Sequence, residues 1–269
     1  MADATLDRRR TFPPLIGTLI VLAWVTLFLW ESSPYGRYLH HSRWTDVGFA
    51  ATLCSALPAG QVVLPALLYV GGWVLMSAAM MLPTALPLLA IFGRLTERRG
   101  DRATLMTLVI VGYLLIWAAF GVAAHGLDAL LHGLVAATPW LWLNGWIIGA
   151  VVLAVAGAFQ FSALKYHCLD KCRTPFSFVH RHWRGQAPRR EAFRLGIHHG
   201  LFCVGCCWAI MLLMFVVGVG SVGWMLVLGA VMAIEKNLSW GRRLSAPLGV
   251  GLLVWSGAVV AQSLLRWPI

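Results

Sequence analysis

A chain of 269 residues that is 59% apolar and only 12% charged carries about half the charge of an ordinary soluble domain, which excludes a conventional cytosolic enzyme. Such hydrophobicity also excludes disorder. The net charge of +11 sits in short basic islands between long uncharged runs; that pattern lacks the basic stripe of a nucleic-acid-binding domain and suits the loops of a polytopic membrane protein.

Runs near the length of about 20 apolar residues that a bilayer-spanning helix needs are predicted at 13–30, 60–92, 103–124, 141–164, 199–217, 220–235 and 244–265. The first follows Arg8, Arg9 and Arg10. It is longer than a signal-peptide core and ends at no clean cleavage site, so it reads as a retained helix. The stretch 47–93 contains no charged residue and by length alone would fit one span or two. Lys and Arg collect in cytoplasmic loops, and one span there places 18 of the 21 basic residues in the N-terminus and segments 94–102, 165–197 and 236–243. Arg37, Arg43 and Arg266 are then left outside. The sequence therefore predicts an all-α, polytopic membrane helix bundle of seven transmembrane helices, N-terminus in and C-terminus out. It forms a single domain over 1–269 with a cytoplasmic loop at 165–197, lying multi-pass in a bacterial inner membrane. Pro83 and Pro87, just after Met76, Met80 and Met81, predict a kink or unwound turn in the second span. Gly145, Gly149 and Gly157 suit close helix packing.

Five of six cysteines fall in two clusters. Cys168 and Cys172, four residues apart, share a helix face at the end of the fourth span. The second cluster, His198-His199-x3-Cys203-x2-Cys206-Cys207 followed by Met211 and Met214, runs into the fifth span. On a helix, His199, Cys203, Cys206, Cys207, Met211 and Met214 fall within an arc of about 140°. Imidazole, thiol and thioether on one face select Cu(I) or Zn over hard cations. The predicted topology brings Met80, Met81, Met232 and Glu235 to the same membrane level. An intramembrane carboxylate beside an ammonium, Glu235 with Lys236, reads either as an ion pair or as a ligand with its neighbour. Cytosolic thiols stay reduced, which favours metal binding over disulfides; Cys54, alone, reads as packing.

A second set lies on the opposite side, His125-x2-Asp128-x3-His132, one helix face with two imidazoles and a carboxylate that would suit Cu(II), Zn or Fe. His40, His41 and Asp46 are available to join it. Phosphate-binding loops, H-E-x-x-H helices, G-x-S-x-G elbows and C-x-x-C-H haem motifs are absent, so ATP-driven transport by this chain alone is excluded. Cys203-x2-Cys206 has redox spacing without the βαβ context of a thioredoxin-like site.

The blocks Met76-Ser-Ala-Ala-Met80-Met81-Leu-Pro83, Leu164-Lys165-x2-Cys168-Leu-x2-Cys172-Arg173-x-Pro175 and Gly200-x2-Cys203-x-Gly205-Cys206-Cys207-Trp208-x2-Met211-x2-Met214-Phe215, with Trp224-Met225 and Glu235-Lys236 after them, resemble a bacterial family of predicted metal-binding integral membrane proteins built on one domain of unknown function. The resemblance covers roughly residues 60–240 and implies a metal role for these Cys, His and Met residues. The expected ligands are Cys168, Cys172, His199, Cys203, Cys206, Cys207, Met80, Met81, Met211 and Glu235, with His125, Asp128 and His132 as a second, outer site. Copper is the favoured ion and zinc the next, for handling or delivery. The expected partners are the lipid bilayer, the metal ion and a metallochaperone or membrane metalloenzyme, with no nucleic acid. Two alternatives are a membrane oxidoreductase using a metal or a Cys pair, and an assembly factor that binds a partner through the basic 165–197 loop.

Overall fold

A computed structural model describes residues 3–32, 63–218 and 221–266. Cys54, His40, His41, Asp46, Arg37, Arg43, most of the uncharged stretch before residue 63, and Ile269 lie outside them. The regular structure among the described residues is helical, with no strand. In chain order they form α1 (Asp3–Glu31), α2 (Val63–Leu95), α3 (Arg102–Ala137), the short α4 (Pro139–Leu143), α5 (Trp146–Phe159), α6 (Ala163–Arg173), α7 (Pro175–His182), α8 (Pro188–Leu212), the single turn α9 (Met214–Val217), α10 (Val222–Asn237) and α11 (Ser245–Arg266). A 3-10 turn, Gly241–Leu244, joins the last two.

Among the described residues four helical stretches are long and apolar enough to cross a membrane: Tyr69–Leu95, Arg102–Ala137, Pro188–Val217 and Gly241–Leu265. The expected fourth span is broken. Helices α5 and α6 meet at 63°, because the chain turns polar at Gln160 and Ser162. The Gln160 amide donates back to Ala156 O, and Ser162 caps α6 by accepting from the Lys165 amide. The expected cytoplasmic loop is not a loop but α6, α7 and the start of α8, with Pro175 and Pro188 at first-turn positions where proline fits a helix. Of the kink or unwound turn expected at Pro83 and Pro87, the unwound turn is absent, since α2 is helical through both. The first apolar helix is described as the shorter Ile16–Leu29.

Helix α8 packs chiefly on α3, with α6 and α5 on other sides. Glycine permits the closest approach: a Cβ at Gly112 of α3 would lie 2.5 Å from Phe193 O of α8, and one at Gly200 of α8 would lie 2.9 Å from Ile116 Cβ. Two fixtures orient the ends of these helices. Before α8, the Glu191 carboxylate accepts the backbone N–H groups of Arg184, Gly185, Gln186 and Ala187 at 2.7–3.2 Å, around a left-handed Gly185 at φ 77°. Between α2 and α3, the Arg99 guanidinium donates to both Asp101 carboxylate oxygens and holds that carboxyl below its usual range.

Candidate metal centre

The face of α8 that the sequence marks as sulfur-rich is turned into the bundle. His199 is 4% exposed, Cys203, Cys206 and Cys207 each 1%, and Met211 and Met214 are fully enclosed. The five described cysteines are free thiols. Cys206 Sγ lies 3.4 Å from Cys207 Sγ and donates to Cys203 O at 3.2 Å, and Cys207 is within hydrogen-bonding reach of the Cys203 thiol. Cys172 of α6, half-buried, is within reach of Cys206. Cys168 stands over Gly205, where a Cβ would come within 2.6 Å of its sulfur; the missing side chain lets α6 bring both cysteines against α8. The thiols thus form a line, Cys172, Cys206, Cys207, Cys203, from a half-buried end to an enclosed one.

The enclosed end meets three other helices. Tyr113 of α3 donates its hydroxyl to Met81 O at 3.2 Å and lies 3.0 Å from Cys203 Sγ. Lys236 of α10 donates to Cys203 Sγ at 2.9 Å and Thr84 Oγ1 at 3.3 Å, with Met81 Sδ at 3.9 Å. Met81 of α2 and Cys203 of α8 therefore both face the Lys236 amine. Met80 is buried but packs on α10 at Gly229, 3.6 Å from where a Cβ would be. His199 stacks on the ring of Tyr113 at 5.6 Å and 26°. With Tyr113 and apolar residues of α2 and α3 it lines a cavity of about 10 Å³, and its Nδ1 is buried without a partner.

Glu235, expected among the ligands, has a different partner. Its Oε1 accepts from Lys165 Nζ at 2.6 Å and from Ser245 Oγ at 2.7 Å. Lys165 and Glu235 are 0% and 1% exposed, and Lys165 also donates to Gln160. The ion pair the sequence allowed between Glu235 and Lys236 is instead Glu235–Lys165, because adjacent helix residues leave the axis in different directions. Arg173 ties α6 to the same corner by donating to the carbonyls of Glu235 and Ser239. Sequence reasoning missed Tyr113, Thr84 and Lys165. The available signals were a phenol in the otherwise apolar run 103–124 and a lysine at the break of a hydrophobic span.

The outer set lies on one face of α3 as predicted, but its members diverge. His132 Nδ1 donates to Asp128 O at 2.8 Å and lies 3.4 Å from Asp128 Oδ1. His125 instead packs against the Tyr69 ring at 4.3 Å, tilted by 36°. Among the described residues no group of three or more His, Cys, Asp and Glu side chains is arranged to hold a metal ion, at either end of the bundle.

A family model described as PpoB2, copper chaperone, matches residues 70–259, which takes in α2 through most of α11. The chain belongs to this copper chaperone family. No curated protein and no solved structure matches it. The metal-related family expected from the Cys-rich blocks is thus a copper-handling one, which supports copper over the zinc that the residue types equally allowed. In a copper chaperone the ion is cargo, taken up in order to be given away. Soft sulfur donors fit Cu(I), and a line of thiols without a closed cage fits an ion that must leave.

Proposed function

We propose that this member of the copper chaperone family carries Cu(I) along the thiol line of α8, entering or leaving at Cys172, passing Cys206 and Cys207, and resting between Cys203 and Met81. The observation that carries this reading is the continuity of the sulfurs from a half-buried position on α6 to an enclosed one beside α2. Each transfer exchanges one soft ligand for the next, so no bare ion is released into an apolar interior, where an unpaired charge is costly. Cys168, His199 and Met211 border the route as supporting donors. The recipient is a membrane copper enzyme, and the donor a metallochaperone that docks at the basic α6–α8 side.

The chain acts as one domain, set in a bacterial inner membrane with seven spans, N-terminus in and C-terminus out. Two observations support this beyond the four long stretches: the bent α5–α6 pair and the apolar Ile16–Leu29. At about 1.5 Å per residue, α10 is short for a span, which suits a helix held inside the bundle by its neighbours. Reporter or cysteine labelling at Gly100, Gln186 and Ala136 tests the orientation; labelling of Ala136 from the cytoplasmic side overturns it.

The test of the site is metal content. The detergent-purified protein is compared with its Cys203/Cys206/Cys207→Ser variant after exposure to Cu(I), and equal copper in both refutes the thiol line.

A further inference from the structure

Lys236 is an ammonium in a place built for a soft cation. Its acceptors are Cys203 Sγ, Thr84 Oγ1 and Met81 Sδ, from α8 and α2. The neighbouring carboxylate, Glu235, takes its hydrogen bonds from Lys165 and Ser245. Cys203 Sγ, at 2.9 Å, is therefore the nearest of the groups that face Lys236, which is only 5% exposed. An ion bonded to both Cys203 and Met81 would sit where the amine now is, since metal–sulfur bonds of about 2.3 Å leave no room for a nitrogen between those sulfurs.

We infer that Lys236 is a resident cation that keeps the terminal copper position closed, and that loading one monovalent ion displaces it. This rests on the proposed role of Cys203 as the terminal ligand. In the exchange Cu(I) bonds to the sulfurs of Cys203 and Met81, the N–H···S hydrogen bond breaks, the ammonium leaves with its proton, and the Cys203 thiol gives up its own proton to water by the same route. No electrons move. The way out is short: Lys236 lies in the last turn of α10, and residues 237–240 after it are all exposed. A lysine stem can carry its charge to such an edge, where water and the negative end of the helix receive it. The loaded pocket then holds one cation against one thiolate. A divalent ion would leave an excess positive charge buried, a costly state, so the exchange selects Cu(I) over Zn(II).

The experiment is amine acetylation of the full chain in detergent, read by mass spectrometry at Lys236 and Lys165 separately, before and after loading with Cu(I) or with redox-inert Ag(I). Lys236 is expected to be protected without metal and to react roughly tenfold faster when loaded, as a buried group does on local opening. Lys165, equally enclosed but paired with Glu235, stays protected. Continued protection of Lys236 with metal bound overturns the inference, and so does a joint rise of both lysines, which is general loosening. Equal exposure by Zn(II) overturns the one-for-one exchange. Cu(I) binding by Cys203→Ser, measured separately, would show failure of the site itself.

Discussion

The sulfur face of α8 and the histidine face at the end of α3 are built alike in sequence, each a set of donors repeated at helical spacing, yet among the described residues the first gathers groups from three other helices and the second is met by Tyr69 of α2. Around Cys203 the chain brings Tyr113 from α3, Met81 and Thr84 from α2 and Lys236 from α10. At the outer set His132 meets Asp128 one turn away and Tyr69 of α2 lies against His125, with Leu127, Leu130 and Leu134 exposed beside them. Side chains on a single helix diverge from its axis. Donors on one helix need groups from its neighbours to complete a site, and among the described residues the α8 face has more of them.

The largest effect that tests this contrast is on copper itself. Cys203/Cys206/Cys207→Ser is expected to abolish most stoichiometric Cu(I) binding, while His125→Ala with His132→Ala retains it; elemental analysis of both in one detergent decides, and the reverse result would make the outer face the site. Next in size is the buried pair beside the thiols. Lys165→Met leaves Glu235 unpaired and should lower stability by about 3–5 kcal/mol, read as a fall in unfolding temperature; a loss below 1 kcal/mol, on the same scale, would mean water reaches that corner.

A smaller loss is expected from Gly205→Val, whose added carbons collide with Cys168. Overpacking of this kind costs about 1–3 kcal/mol, and by pushing α6 away it should slow copper uptake more than it reduces the final copper content. Stopped-flow uptake from a chromophoric Cu(I) chelate separates the two, and an unchanged rate would remove Cys172 from the route. The smallest effect is that of Tyr113→Phe. It removes one buried hydroxyl bonded to Met81 O and Cys203, worth about 1 kcal/mol, and should weaken Cu(I) retention only a few-fold in chelator competition. A loss as complete as that of the triple serine variant would make the phenol a ligand rather than a brace.

Much of the site could be read directly from residue order. Spacing alone puts His199, Cys203, Cys206, Cys207, Met211 and Met214 on one helix face, because the period of an α-helix is set by its backbone. The composition of the chain required apolar helices, and the soft donors required a soft metal. What the sequence could not decide was which residues of other helices reach that face. Met80 and Met81 are adjacent in a run of identical chemistry, yet Met81 stands by Cys203 and Lys236 while Met80 packs on Gly229. Glu235 and Lys236 are likewise adjacent, and one turns to Lys165 while the other turns to a thiol. Neighbours along a helix are about 100° apart, so their partners depend on how α2, α8 and α10 are rotated against each other. That rotation comes from packing across the whole bundle, where glycines at 112, 200 and 205 let helices touch, and only the tertiary structure contains it.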